Sequence, residues 1–109
     1  MLFVCGKNQW RSPTAAAIYR DDPRLEVRSA GVSPRSRRRI SRRDLAWAEV
    51  VMVMEHRHAE RLRADFRDLA LPPIVALEIE DVYRFMDPAL CERLREAVED
   101  ALTRLASVV

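Results

Sequence analysis

The 109-residue chain lacks the features that mark several broad classes of protein. It has only two cysteines, too few for a disulfide framework, and no apolar run approaches the length that crosses a membrane. We expect no basic, apolar and cleavable leader, because the apolar stretch at residues 2–5 is far too short for one. Repeats, low-complexity linkers and domain boundaries are also missing. We therefore expect one domain, residues 1–109, located in the cytoplasm.

The composition is typical of a folded soluble protein with one modest core. Apolar residues make up 49% of the chain and charged residues 33%, with a net charge of +2. The most basic stretch is an arginine run at residues 35–43. A nucleic-acid contact there is the less favoured interpretation, because the whole chain is nearly neutral and offers no recognition helix with flanking aromatics. A solvated stretch that attracts anionic substrates is the preferred one.

The most informative segment is Cys-Gly-Lys-Asn-Gln-Trp-Arg-Ser-Pro at residues 5–13, with a thiol and a guanidinium at the two ends of one tight loop. An apolar run at 1–4 predicts a buried strand before the loop, and an alanine-rich stretch at 14–20 predicts a helix after it. Ser12 suits the N-cap of that helix and Pro13 its first position. Such a loop directs backbone N–H groups and a helix dipole at one spot, which indicates an anion site.

The same arrangement suits phosphoryl chemistry. A helix N-terminus and a nearby arginine favour the thiolate form of a cysteine. A thiolate at Cys5 beneath a bound phosphate is placed for in-line attack, and the planar fork of Arg11 suits two phosphate oxygens. The alternative is a buried core cysteine with a surface arginine nearby. The preceding strand and the Ser-Pro helix start favour the catalytic interpretation.

The remaining pattern alternates strands with helices. We predict further strands at 25–29, 50–54 and 73–77, and helices at 41–47, 56–66 and from Asp87 onward. The fold class is therefore α/β, a single three-layer domain with a four-stranded parallel sheet flanked by helices and the phosphate-binding loop after strand 1. The third strand is apolar on both faces and should be central. Ligands bind beyond the carboxyl ends of such strands, where Cys5 and the loop after Leu77 should meet.

The chain resembles the low-molecular-weight protein tyrosine phosphatases, which open with a strand, C-x5-R-S-P and a helix. Residues 28–31 are similar to the family's second strand and Ser-Ala-Gly turn, and residues 38–55 to its helix, strand and Met-Asp segment. Residues 79–83 lie where the family has its acidic Asp-Pro-Tyr loop, followed by a last helix. The resemblance covers nearly the whole chain in the family's order.

The resemblance implies a role for each matching position. Cys5 would be the nucleophile that becomes phosphorylated and Arg11 the clamp on the phosphate. Ser12 would steady the thiolate, Asn8 would fix the loop, and Asp81 would be general acid and then base. The substrate-binding set implied is Gly6, Lys7, Asn8, Gln9, Trp10, Ser12 and Tyr83. Neither a metal nor another cofactor is implied.

Three residues in the acidic loop have more than one interpretation. Asp87 is the rival general acid, but Asp87-Pro88 precedes an apolar series at helical spacing, so Asp87 is explained as an N-cap. Asp81 has no such structural explanation, although a plain solvated acid is its alternative. Tyr83 is interpreted either as an aromatic wall for a flat substrate or as an anchor of the loop to the core.

Departures from the family pattern bear on substrate and regulation. A short arginine-rich link stands in place of a longer segment that shapes the family's cleft. Trp10 replaces a second loop cysteine, Gly6-Lys7 replaces a bulky residue followed by glycine, and Val82 and Glu55 replace a proline and an aspartate. Lys7, the only lysine, is expected to assist anion binding.

We expect structural roles, and no part in the reaction, for several other conspicuous residues. His56 and His58 are expected to begin a helix and stay solvated, because they have no cysteine partners at metal spacing. Cys91 is expected to be half-buried on the last helix. Trp47 and Met54 are expected in the core, and Trp10 at the mouth of the pocket.

The sequence thus predicts a metal-free phosphatase acting on a phosphotyrosine-containing protein or a small aryl phosphate. Phosphate- or sulfate-like anions should bind in the loop, and neither nucleic acid nor a membrane is an expected partner. One alternative is a phosphate- or phosphopeptide-binding module with little turnover. The other is a thiol-dependent arsenate reductase, which ranks lower because only Cys91 is available as a second thiol.

Overall fold

The computed structural model describes residues 1–107, in which four strands alternate with four helices. The strands are β1 (Leu2–Cys5), β2 (Arg28–Gly31), β3 (Val51–Val53) and β4 (Ile74–Ala76). The helices are α1 (Arg11–Tyr19), α2 (Arg42–Trp47), α3 (His56–Asp65) and α4 (Pro88–Ala106). The last two residues of the predicted domain, 108 and 109, lie outside the described residues.

All four strands form one parallel sheet in the order β2-β1-β3-β4. Parallel neighbours need a crossover connection, and α1, α2 and α3 supply those crossovers. The predicted parallel sheet is confirmed. The central place of β3 is confirmed too, with all three of its residues buried as a two-sided apolar strand requires.

Side chains on successive strand positions enter two cores on opposite faces of the sheet. Phe3 and Met52 pack in the core that α1 and α4 cover. Val4 and Val53 pack in the core that α2 and α3 cover. The predicted three-layer arrangement is therefore confirmed.

Two helices begin with a side-chain cap, and the cap at Asp87 was predicted. The Ser41 hydroxyl accepts from the Asp44 N–H and the Asp44 carboxylate accepts from the Ser41 N–H, a complete capping box at α2. The Asp87 carboxylate accepts from the Ala89 N–H at the start of α4, and Pro88 is its first residue. The structural explanation of Asp87 is confirmed.

Two predicted element boundaries are wrong. Helix α1 begins at Arg11, and its N-cap is Trp10 with no side-chain cap, rather than Ser12. The Ser12 hydroxyl lies beside the Cys5 sulfur instead. The second strand covers 28–31 rather than 25–29, because the N–H of Leu25 closes a turn onto the carbonyl of Asp22 and hydrogen-bonded pairing with β1 starts only at Arg28.

None of the helices within residues 1–107 combines the length and the apolar character that a bilayer-spanning segment needs.

Candidate active site

The loop at residues 6–10 is held between the end of β1 and the start of α1. Strand β1 ends at Cys5, whose residue surface is only 3% exposed. Asn8 takes a positive φ of 54° at the middle of the loop, a conformation that asparagine adopts more readily than most residues. The loop therefore returns within five residues to Arg11, the first residue of α1.

The arginine-rich link between β2 and α2 closes over the outer side of this loop. Three carbonyls, of Cys5 and of two loop residues, accept hydrogen bonds from it: Val32 N to Cys5 O at 3.0 Å, Ser33 N to Gly6 O at 2.9 Å, and Arg37 N to Lys7 O at 3.1 Å. The N–H groups of residues 6–10, by contrast, donate to no group within residues 1–107. The carbonyls of Gly6 and Lys7 are thus occupied while the loop N–H groups stay available, which is the state expected of an anion site.

Gly31 makes the close approach of the link possible. A Cβ at this position would lie 2.2 Å from the Ser36 Oγ and 2.9 Å from the Asn8 backbone nitrogen. Gly31 pairs with Cys5 across β1 and β2, so the constraint acts directly beside Cys5.

A buried hydroxyl supports the thiol. The Ser12 Oγ lies 2.9 Å from the Cys5 Sγ and also accepts from the Asn8 Nδ2 at 2.9 Å. Because the amide of Asn8 occupies an acceptor site on the hydroxyl oxygen, the single hydroxyl proton has two acceptors within reach, the Cys5 sulfur at 2.9 Å and the Ala30 carbonyl at 3.4 Å. The side chains of Asn8 and Ser12 are therefore hydrogen-bonded to each other beneath the loop, next to the Cys5 sulfur.

Arg11 is buried, with 2% of its surface exposed, and is oriented by groups far away in sequence. Its Nη1 donates to the Glu55 Oε2 at 2.6 Å and to the Ile79 carbonyl at 2.8 Å. Its Nε has no hydrogen-bond partner within the described residues and lies 3.5 Å from the Asp81 Oδ1. Glu55 thus fixes one side of the guanidinium and leaves the Nε free to bind a ligand.

The carboxylate of Glu55 remains ionised through the neutral and mildly acid range. Desolvation, the largest effect, would raise its pKa, but hydrogen bonds from Arg57 and Arg11 outweigh it and lower the pKa to about 2. A permanent negative charge therefore faces the buried guanidinium.

A cleft of about 530 Å³ opens at this edge of the sheet. Seven of the predicted site residues line it: Cys5, Gly6, Lys7, Gln9, Trp10, Arg11 and Asp81. Tyr83 is not among its lining residues and packs against the core that α1 and α4 cover, which corresponds to the anchoring alternative. Trp10 is 40% exposed at the cleft, as predicted.

Five further lining residues were not predicted: Val32, Ser33, Arg57, His58 and Arg61. The expectation that His58 is solvated is wrong, because its ring turns inward, accepts from the Glu55 N–H and is 2% exposed. The three-residue spacing of Glu55 and His58, typical of a capping box, was the signal available for it. His56 is exposed beside Glu78, as predicted.

The remaining assigned residues lie away from the cleft. Cys91 is on α4, 7% exposed and therefore more buried than expected, and does not line the cleft. Met54 is buried as predicted, whereas Trp47 is only partly buried, with the Arg28 guanidinium 4.1 Å from its ring centre. Within residues 1–107, no cluster of three or more His, Cys, Asp or Glu is placed to hold a metal ion.

Comparison with known proteins finds similarity in structure alone. No protein-family model matches the chain, and no curated protein matches it in sequence. Among solved structures, the chain is similar to a low-molecular-weight protein tyrosine phosphatase from T. tengcongensis, with 22% identity, TM-score 0.68, and coverage of 94% of this chain and 96% of that one. This likeness shows that the chain has the fold of those phosphatases.

Two arginine phosphatases share the fold as well. Drosophila arginine phosphatase, DARP, is 21% identical with a TM-score of 0.72, covering 99% of this chain and 98% of that one. YwlE arginine phosphatase from Geobacillus stearothermophilus is 22% identical with a TM-score of 0.69, covering 97% and 92%. Another YwlE structure, 23% identical with a TM-score of 0.61 and coverage of 97% and 92%, is a cysteine-to-serine mutant with a phosphorylated active-site serine.

Proposed function

We propose that the chain is a cysteine-dependent phosphatase that hydrolyses aryl phosphate or phosphotyrosine monoesters through a cysteinyl-phosphate intermediate. One observation carries the proposal: Cys5, Arg11 and Asp81 line the same cleft, with the Arg11 Nε 3.5 Å from the Asp81 Oδ1. We assign it to the cytoplasm, where a nucleophilic thiol stays reduced.

The cleft offers more positive charge and free donors than a neutral ligand would need. Lys7, Arg11, Arg57 and Arg61 line it, against the single lining carboxylate of Asp81. The free N–H groups of residues 6–10 and the Arg11 Nε add directed hydrogen bonds. Together these groups suit a phosphoryl dianion held over the Cys5 sulfur.

In the first step the Cys5 thiolate attacks phosphorus and forms an S–P bond while the P–O bond to the leaving group breaks. Asp81 donates its proton to the departing oxygen, so the leaving group departs as a neutral phenol. The Arg11 guanidinium and the loop N–H groups stabilise the charge on the equatorial oxygens during transfer.

In the second step water attacks the cysteinyl phosphate, and Asp81, now a carboxylate, takes a proton from that water. The S–P bond breaks and the sulfur leaves as a thiolate. The Ser12 hydroxyl, 2.9 Å from the sulfur, stabilises that thiolate by a hydrogen bond. The phosphorylated active-site serine of the YwlE mutant supports a covalent step of this kind on this fold.

Phosphoarginine is a second candidate substrate, which differs from an aryl phosphate in its leaving group. Two of the structurally similar proteins, DARP and YwlE, are arginine phosphatases, and Tyr83 does not form an aromatic wall in the cleft. The basic lining from Lys7, Arg57 and Arg61 disfavours a cationic guanidinium leaving group, whereas the exposed Trp10 ring suits an aryl one. We therefore place aryl phosphates first.

Hydrolysis of para-nitrophenyl phosphate as a function of pH, with and without EDTA, tests the proposal. Wild-type protein should turn over with EDTA present, and Cys5→Ser should abolish turnover. Cys91→Ser is the matched control, since this second thiol lies outside the cleft and its loss should leave the rate unchanged.

Two other outcomes have defined meanings. Folded wild-type protein that binds phosphate or vanadate without turnover would replace the enzyme with an anion-binding module. Faster hydrolysis of phosphoarginine than of phosphotyrosine, compared as kcat/KM, would change the substrate class and keep the cysteine mechanism.

A further inference from the structure

His58 is a buried histidine in the wall of the cleft. It lies in the first turn of α3, only 2% of its surface is exposed, and it borders the same space as Cys5. Its Nδ1 accepts a hydrogen bond from the backbone N–H of Glu55 at 3.1 Å. This contact fixes the ring and caps the helix.

The ring of His58 is neutral at physiological pH. Burial, the largest effect, lowers its pKa to about 4, and the charge of Arg11 adds to the lowering. Arg57 acts in the same direction, while Glu55 and Asp81 oppose it. A neutral imidazole carries one ring proton, and the Nδ1 accepts from an N–H, so the proton is on the Nε2.

The Nε2–H therefore is a donor with a fixed position and no acceptor. It has no hydrogen-bond partner within residues 1–107, and the Glu55 Oε2 is 3.8 Å away, too far for a hydrogen bond. That oxygen already accepts from Arg11 and Arg57. A Cβ built on Gly6 would lie 3.8 Å from the Nε2, so the donor faces the loop.

A second buried donor also lacks a hydrogen-bond acceptor within the described residues. Within the described residues, the unpartnered buried side-chain donors are the Arg11 Nε and the His58 Nε2, and both residues line the cleft. Leaving a buried donor without an acceptor destabilises the protein, and a bound acceptor would remove that cost. An oxyanion over the loop would provide acceptors for both.

We propose that His58 is an additional oxyanion-binding residue, whose Nε2–H donates to an oxygen of the phosphoryl group bound over Cys5. The proposal rests on the anion site of the proposed function and extends it by one neutral donor. A purely structural histidine would need only the Nδ1 contact to Glu55. That structural role does not explain why the Nε2–H points inward.

Two substitutions separate the two ring nitrogens. His58→Asn keeps an acceptor near the Nδ1 position, and so keeps the cap, but removes the donor. His58→Gln has a longer side chain and places an amide N–H donor near the position of the Nε2. Binding of inorganic phosphate, measured by titration calorimetry, should weaken about 10- to 100-fold in His58→Asn, the value of one hydrogen bond to a charged group. His58→Gln should recover most of the affinity.

A spectroscopic readout on the wild-type protein covers the case in which a variant does not fold. The ring nitrogen resonances should show the Nε2–H tautomer, and inorganic phosphate should shift the Nε2–H resonance. Unchanged phosphate affinity in folded His58→Asn, or an Nε2–H resonance that phosphate leaves unmoved, would overturn the proposal.

The outcomes also separate this proposal from the proposed function. Wild-type protein that binds phosphate without hydrolysing para-nitrophenyl phosphate would refute the enzyme, while the affinity of His58→Asn would still decide the role of His58. Turnover together with unchanged phosphate affinity in His58→Asn would refute the role of His58 alone. Wild-type protein that binds no phosphate would refute both.

Discussion

Glu55 holds the guanidinium of Arg11 from 44 positions away in the chain, with Nη1 and Oε2 2.6 Å apart. Arg11 is 2% exposed on its side chain and Glu55 30%, so the cation depends on this carboxylate as its counter-charge. The Ile79 carbonyl accepts from the same Nη1 at 2.8 Å. The planar group is thereby held in one orientation without a ligand, which in the proposed mechanism reduces the reorganisation needed for catalysis.

We expect Glu55→Gln to destabilise the fold by about 1–3 kcal/mol, because a buried cation loses its charged acceptor. Phosphate should then raise the melting temperature of this variant more than that of the wild type, since the anion replaces the lost counter-charge. Arg57→Gln is the control: it removes the exposed partner of the same carboxylate and should change stability by less than about 1 kcal/mol. Equal losses in both variants would contradict the special role of the Arg11 pair.

Asp81→Ala should slow aryl phosphates with poor leaving groups by about 10²- to 10⁴-fold, because those leaving oxygens need a proton. Substrates with good leaving groups should be affected far less. Asp87→Ala is the matched control: it should lower stability by about 1 kcal/mol through loss of the α4 cap and leave the rates unchanged. An equal loss of rate for both kinds of substrate in Asp81→Ala would exclude the general-acid role.

Ser12→Ala should slow hydrolysis of the cysteinyl phosphate more than its formation, by about 10²-fold, because the departing thiolate loses its hydrogen bond. Rapid-quench measurement of the phosphoenzyme would show it accumulating during turnover of para-nitrophenyl phosphate. A variant whose two steps slow equally would show that Ser12 only shapes the loop.

The two glycines of the chain offer a matched stability test. Gly31→Ala places a Cβ 2.2 Å from the Ser36 Oγ, 2.8 Å from its Cβ and 2.9 Å from the Asn8 nitrogen, and should cost about 1–3 kcal/mol. Gly6→Ala meets only the His58 Nε2 at 3.8 Å and should cost less. Denaturant titration measures both.

A second variant identifies which contacts matter at Gly31. Adding Ser36→Ala to Gly31→Ala removes the hydroxyl but keeps the Ser36 Cβ and the Asn8 backbone contact. We therefore expect at most partial recovery of stability, and full recovery would show that the hydroxyl alone was the obstacle.

His58 should make stability depend on pH between about 4 and 6.5. The folded ring has a pKa of about 4, below its ordinary value of 6.5, so the unfolded chain binds the proton first. Stability is therefore lost as pH falls through this window, by up to about 1.4 kcal/mol per pH unit from this group. Urea titrations at several pH values should show a smaller slope in His58→Asn. A His58→Asn variant with the wild-type slope would contradict the buried, neutral state of His58.

Features set by residues close in sequence were predictable. The capping box at Ser41, the Asp87 cap and the apolar stripe of α4 depend on contacts two to four residues apart, and all three are present. The start of α1 was predicted incorrectly for an instructive reason. Ser12 has the chemistry of a cap, but its hydroxyl contacts Cys5 and Asn8 in the tertiary structure.

The sequence by itself determined that strands alternate with helices and that Cys5 and Asp81 follow strands of one parallel sheet, because hydrophobic periodicity and the right-handed crossover rule leave few arrangements. Only the tertiary structure decided which groups complete the site. Three features of the site depend on the register and order of the strands. They are the contact between Glu55 and Arg11, the inward orientation of the His58 ring, and the hydrogen bonds from the link to the loop carbonyls. The Glu55–Arg11 contact joins residues 44 positions apart and the link contacts join residues 27 to 30 apart, so no local pattern encodes them.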